Sequence, residues 1–90
     1  MSTSDPNPGE QILTVDCDDY DLHVGFADGR RLSVPLNWYP RLARATPAQR
    51  AIWVISAAGY GIHWPEIDED LSAEGLLRGA PAPGARARSA

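Results

Sequence analysis

The sequence predicts an α+β fold: a small antiparallel β-sheet, hairpin strands first, with one main α-helix packed on one face and a short C-terminal helical turn. Three observations carry this expectation. Apolar and polar residues alternate through much of residues 20–36, the period of two that marks half-buried strands. Thr46-Pro47-Ala48-Gln49 combines a Thr N-cap, a Pro in the first turn and a Gln three residues on, which is a capping box. The strand signals precede the helix signals without βαβ alternation, which argues against a parallel sheet.

Ile12-Leu13-Thr14-Val15 reads as a first strand running into the acidic turn Asp16-Cys17-Asp18-Asp19. Tyr20, Leu22, Val24 and Phe26 form one apolar set, and Leu32, Val34 and Leu36 form the next, on either side of Asp28-Gly29. Parity decides the turn between them. A two-residue loop would put the two sets on opposite faces. A three-residue loop, Ala27-Asp28-Gly29, pairs Phe26 with Arg30, Val24 with Leu32 and Leu22 with Val34. That register keeps the apolar sets together, with Gly29 as the left-handed residue of a bulge. Pro35 marks a strand end. Asn37 caps an expected short helix to Ala45. The main helix starts at Thr46, buries Ala48, Ile52 and Ile55 with Trp53 and Val54 widening the stripe, and stops at Gly59. Gly61-Ile62-His63-Trp64-Pro65 reads as a last short strand, and Ser72 caps a turn that Gly79 closes.

At 90 residues the chain holds one domain, with a modest core and little room for a deep cavity. Composition assigns 1–10 to a disordered N-terminal segment, 11–79 to the domain and 80–90 to a disordered Pro/Ala/Arg tail. No apolar run approaches the ~18 residues of a membrane span, and residues 1–5 carry no secretory signal. With Cys17 as the one cysteine, no intrachain disulfide can form, and a cytoplasmic setting is expected.

The net charge of −4 conceals three blocks. Residues 1–27 carry six acidic residues and no basic one; residues 28–50 carry Arg30, Arg31, Arg41, Arg44 and Arg50 against Asp28 alone; residues 51–79 are acidic again, with Glu66, Asp68, Glu69, Asp70 and Glu74 against Arg78. There is no lysine, which excludes Schiff-base and Walker-type chemistry. Asp68 and Asp70, flanked by Glu66 and Glu69, are the most catalytic-looking group, since paired carboxylates share protons or bind divalent ions. A solvated acidic turn, its carboxylates bonded to local backbone N–H groups, is the simpler account and the one expected. His23 and His63 alternate with apolar neighbours and point away from the core. Asp16 and Asp18 beside Cys17 raise a thiol pKa rather than lower it, so a nucleophilic cysteine is not expected. No nucleophilic-serine, phosphate-binding or cofactor motif occurs. The chain therefore reads as non-catalytic, with no cofactor and no dedicated metal site.

Phe26-x-Asp28-Gly29-Arg30, Val34-Pro35-Leu36-x-Trp38-Tyr39-Pro40-Arg41-Leu42 and Ala45-Thr46-Pro47-x-Gln49-Arg50 resemble a bacterial family, the domain of unknown function 2442 family. So do Gly61-Ile62-His63-Trp64-Pro65-x-Ile67-Asp68-Glu69-Asp70-Leu71-Ser72 and Gly75-Leu76-Leu77-x-Gly79. The resemblance spans residues 11–79 and implies a small α+β domain of unsettled activity. Members look like accessory proteins, some fused to helix-turn-helix segments and some encoded beside a small toxin-like protein. Here only the Pro/Ala/Arg tail follows Gly79, so the DNA-binding role of the fused members is not carried over.

The expected function is a protein-interaction or regulatory, antitoxin-like module. Its expected contact surface is Asp68, Glu69 and Asp70 or the Trp38, Tyr39, Arg41 and Arg44 corner, and its expected partner another protein, such as a small toxin-like one. The first alternative is a nucleic-acid-binding regulator using the arginines, against which the net acidity argues. The second is a metal or small-molecule site built on His63 with Asp68 and Asp70. No membrane partner is expected.

Overall fold

A computed structural model describes residues 7–79, and the expectations for residues 1–6 and 80–90 lie outside them. The fold is α+β, but it is built on two three-stranded antiparallel sheets rather than one. The first holds β1 (Ile12–Cys17), β2 (Asp21–Phe26) and β3 (Arg31–Pro35) in that order; the second holds β4 (Val54–Ser56), β5 (Gly61–Trp64) and β6 (Glu69–Ser72). Two short helices, α1 (Pro40–Arg44) and α2 (Pro47–Arg50), lie between the sheets in sequence, and α3 (Ala73–Arg78) follows the second.

The β2–β3 hairpin has the register that parity requires, with Leu22 opposite Val34 and Val24 opposite Leu32. Phe26 N–H donates to the Arg30 carbonyl at 2.9 Å, and Gly29 closes the three-residue loop at φ 93°. Leu22, Val24, Phe26 and Val34 are consequently buried on one face. A bulge between Ile12 and Thr14 turns Leu13 out to solvent while Ile12 stays buried opposite Phe26. Pro8–Glu10 forms a 3-10 turn capped by Asn7, inside the segment that composition assigns to a disordered end. Backbone pairing of Asp28 N–H with the Gly9 carbonyl holds that turn to the hairpin tip, a long-range contact that composition cannot reveal.

The expected main helix does not exist. Its capping box is present in both directions, Thr46 Oγ1 accepting from Gln49 N–H and Gln49 Oε1 accepting from Thr46 N–H, yet α2 ends after one turn. In a continuing helix the Arg50 carbonyl would accept from Val54 N–H. Instead it accepts from the indole Nε1–H of the fully buried Trp64, at 3.1 Å. The β-branched Val54 and Ile55 then take the extended backbone they favour, and β4 pairs with β5, Ile55 opposite Ile62. The supposed core stripe of Ala48, Ile52 and Ile55 faces solvent. Asn37 likewise caps no helix. It lies inside a 3-10 turn, Leu36–Trp38, and Tyr39 occupies the N-cap position of α1.

Arg50 is buried and closes α1 with its side chain. Its guanidinium donates to the Leu42 carbonyl at 3.2 Å, which also accepts the Ala45 N–H, and to the Ala45 carbonyl at 2.6 Å, a group beyond the helix ladder. One core joins both sheets to the connector: Leu22, Val24, Phe26 and Val34 meet Leu36, Tyr39 and Leu42, then Ile62, Trp64, Ala73 and Leu76. Ser72 caps α3 through Gly75 N–H, and Gly79 ends it in the left-handed conformation, as its sequence position predicts. Among the described residues, no helix is long and apolar enough to cross a membrane.

Ala57 and Ala58, which link β4 to β5, both hold positive φ, at 53° and 56°. Such a conformation costs an L-residue roughly 1–2 kcal/mol. Ala58→Gly is therefore expected to raise the unfolding free energy by up to about 1 kcal/mol, the entropy of glycine offsetting part of the relief. Arg50→Ala strips the Ala45 carbonyl of its partner, leaves the Leu42 carbonyl with the Ala45 N–H alone, and is expected to cost about 1–3 kcal/mol. Urea denaturation of the two variants measures both. Unchanged stability in Arg50→Ala would show that it does not anchor the connector.

Candidate interaction surface

The residues singled out in the sequence meet only in part, Trp38 with Tyr39 and Arg41 with Asp68, and not as one exposed patch. Tyr39 is 2% exposed and belongs to the core, so it is no surface anchor. Trp38 is half-buried against that core, its ring edge-on to Tyr39 with centroids 6.5 Å apart. Arg41 reaches across to the β5–β6 turn, where its guanidinium donates to the backbone carbonyl of Asp68 rather than to a carboxylate. Asp68 takes positive φ, 54°, at the end of that four-residue turn, a conformation that aspartate tolerates better than most residues. Arg44 is exposed and forms no ion pair among the described residues.

The acidic segment is not a loop throughout. Glu69 and Asp70 open β6, which pairs with β5, Trp64 opposite Glu69 and His63 opposite Asp70. Alternation on this edge strand buries Glu69 and exposes Asp70. The charged residues hide a strand signal that only Leu71 carries in the sequence. Asp70 pairs with His63 Nδ1 at 2.8 Å. Asp68 does not join them as a third ligand, so the metal constellation of His63, Asp68 and Asp70 is not assembled.

Burial pushes the Glu69 carboxyl above its ordinary value, outweighing the nearby Arg41 guanidinium, and Asp70 and Asp68 add to the rise. Burial also pushes the Tyr39 phenol up to about 12, with Glu69 contributing. Cys17 lines a cleft of about 300 Å³ with Asp16, Asp18, Asp19, Pro47, Arg50, Ala51 and Trp53. Burial raises its thiol to about 11, against the pull of Arg50, so it is no nucleophile at neutral pH.

A surface absent from the sequence reading lies on the other edge of the second sheet. β4 is an outer strand with β5 on one side only. Ile52, Val54 and Ile55 are 43%, 50% and 37% exposed there. Residues 51–62 contain no charged side chain, so this edge lacks the charges that usually guard exposed strands. The consecutive β-branched residues were the available signal, masked by the helix start just before them.

The family model for a protein of unknown function, DUF2442, matches residues 12–82. The chain belongs to this family. Two solved structures share the fold. A protein of unknown function from Rhodospirillum rubrum is 27% identical, with a TM-score of 0.71 over 83% of this chain and 93% of its own. An uncharacterised protein from Chromobacterium violaceum, solved by solution NMR, is 25% identical, with a TM-score of 0.70 over 82% of this chain and 70% of its own. No curated protein matches the chain. Family membership thus fixes the fold, and the surface must be read for the function.

A carboxyl whose folded-state pKa is raised stabilises the fold fully below its ordinary value, 4.5, and that contribution is lost as pH rises through the folded pKa. Glu69→Gln removes the charged form. It is expected to raise Tm by a few °C at pH 7, where about 1 kcal/mol moves a domain of this size by about 4–8 °C. The gain should shrink toward pH 4. Scanning calorimetry of both proteins across that range checks it.

Proposed function

We propose that this chain is a non-catalytic protein-interaction module that accepts an extended segment of a partner protein along β4. The observation that carries the reading is the neutral, apolar outer edge formed by Ile52, Val54 and Ile55. A strand at a sheet edge offers unpaired backbone N–H and C=O groups to an incoming strand, and the flanking side chains supply apolar area. The antitoxin-like role implied by the family resemblance is the version in which the partner is a small toxin-like protein. Cys17 and the buried Tyr39 favour a non-catalytic role, since neither is activated at neutral pH.

The arginine distribution favours this reading over nucleic-acid binding. Arg30 is tied to Asp28 at 2.8 Å and Glu10 at 3.5 Å, Arg41 to the Asp68 carbonyl, and Arg50 is buried. Of the five arginines in residues 28–50, Arg31, Arg41 and Arg44 are exposed without an ion pair among the described residues, and Arg41 is held by the Asp68 carbonyl. So few free cations on a net acidic chain make a poor phosphate-tracking surface.

A photo-crosslinking residue placed at Ile52 or Val54 in the native host is expected to trap a defined protein, and one placed at Glu74 is not. Val54→Lys, on an exposed site where substitutions usually shift stability by under about 0.5 kcal/mol, should abolish the adduct formed from position 52. Equal trapping from Glu74, or an adduct that survives Val54→Lys, overturns the reading.

A further inference from the structure

We propose that Asp18, Asp21 and His23 form a binding site for a divalent transition-metal ion of the zinc class. The site is separate from the β4 edge and does not depend on the function proposed for it. One ligand atom from each of the three side chains lies within 4.8 Å of the other two. The topology explains the convergence. Asp21 and His23 are two residues apart on β2 and therefore project from the same face, opposite to Leu22. Asp18 sits in the β1–β2 turn and folds back over that face, because its Oδ1 accepts the backbone N–H groups of Tyr20 at 2.8 Å and Asp21 at 2.7 Å.

Two features prepare these groups for a metal. The first is the orientation of the imidazole. Ser33 lies directly opposite His23 on β3, and its Oγ is 2.6 Å from Nδ1. With Nδ1–H donated to that hydroxyl, the lone pair of Nε2 faces the carboxylates. This is the outer partner that ligating histidines ordinarily have, outside the ligand set itself. The second is the division of labour within Asp18. Its Oδ1 is occupied by backbone donors, which leaves Oδ2, 2.8 Å from Nε2, for the ion. Metal bonds of about 2.0–2.2 Å to nitrogen and oxygen require these two atoms to separate by roughly half an ångström, a small side-chain adjustment. One imidazole nitrogen with two carboxylate oxygens is a donor set for zinc or manganese-type ions rather than for copper(I) or calcium, with waters completing the shell. On binding, the ion replaces whatever proton Nε2 carries and releases it to solvent.

The same chain contains an internal control. His63 and Asp70 make a contact of the same length, 2.8 Å, but among the described residues no third ligand converges on them. A general affinity of histidine–carboxylate pairs for metal would act at both places, whereas the proposed site acts only at His23.

The test is titration of the full chain, stripped by a chelator, with Zn2+ alone. Calorimetry gives the stoichiometry, and NMR of the two histidine rings gives the place. The expected result is one ion per chain, movement of the His23 ring signals with those of His63 unchanged, and a rise in Tm under saturating metal. Asp21→Asn, which keeps the shape of the side chain, should weaken binding at least tenfold. Ser33→Ala, which removes the outer partner only, should weaken it by about 10-fold while the protein stays folded. Far-UV circular dichroism and the unchanged His63 signals verify that fold in each variant. No saturable uptake, equal movement of both histidines, or full affinity in a folded Asp21→Asn overturns the proposal.

Discussion

The fold turns on one residue that satisfies two distant parts of the chain at once. The carbonyl of Arg50 accepts the indole hydrogen of Trp64, and its guanidinium donates to the carbonyls that end α1. The first bond brings the connector onto β5 of the second sheet. The second packs α1 against α2 with no extended loop between them. Both are buried, where an unpaired polar group costs about 1–3 kcal/mol, so neither can be dropped without forcing the connector to move. Trp64 contributes the largest fully buried side chain of the core and satisfies its one polar atom through the same bond. Hydrophobic burial and hydrogen-bond satisfaction are thus fulfilled at a single contact between residues 14 positions apart.

That contact also explains which parts of the molecule could be read from residues in order. The β2–β3 hairpin was legible because parity is a local constraint: a register slip of one residue would turn Leu22, Val24 and Phe26 outward. The cap at Ser72 and the left-handed close at Gly79 were legible for the same reason. Residues 46–56 were not. Their first turn has every local mark of a helix start, and the helix does form. Its ladder tightens at Ile52, whose N–H donates to the Gln49 carbonyl, and an indole from β5 takes the Arg50 carbonyl beyond it, which nothing within residues 46–59 announces. β6 was hidden differently. Glu69 and Asp70 have low strand propensity, and their pairing depends on β5 being in place first. A single sheet with one long helix was the locally consistent solution; two sheets joined by short helices is the one that long-range bonds select.

The candidate surface was legible to a similar, partial degree. Arg41 and Asp68 do meet, but through a backbone carbonyl that has no charge to neutralise. Arg41 therefore positions the β5–β6 turn through that carbonyl, while its charge offsets only part of what burial does to Glu69. Glu69 reads as a surface carboxylate in sequence and is buried by strand alternation. In contrast, Ile52 and Ile55 read as core and are exposed, because the helix that would have buried them gives way to a strand. The two reversals have separate causes, the short α2 with β4 after it and the pairing of β6 with β5.

The charge pattern takes on a different meaning once the sheets are placed. The arginine segment does not form a belt across the surface. Arg50 is withdrawn into the core, Arg30 folds onto the hairpin tip and Arg41 crosses to the second sheet. The carboxylates they might have balanced are left at the β1–β2 turn and along β6, each beside a histidine on a sheet surface. Between these polar positions runs the uncharged stretch 51–62, whose outer strand has no charge to repel an incoming chain. On the proposed reading, association is directed to this neutral edge, since contacts at the charged positions must desolvate charge. Strand pairing requires only backbone groups and apolar side chains, and β4 supplies both.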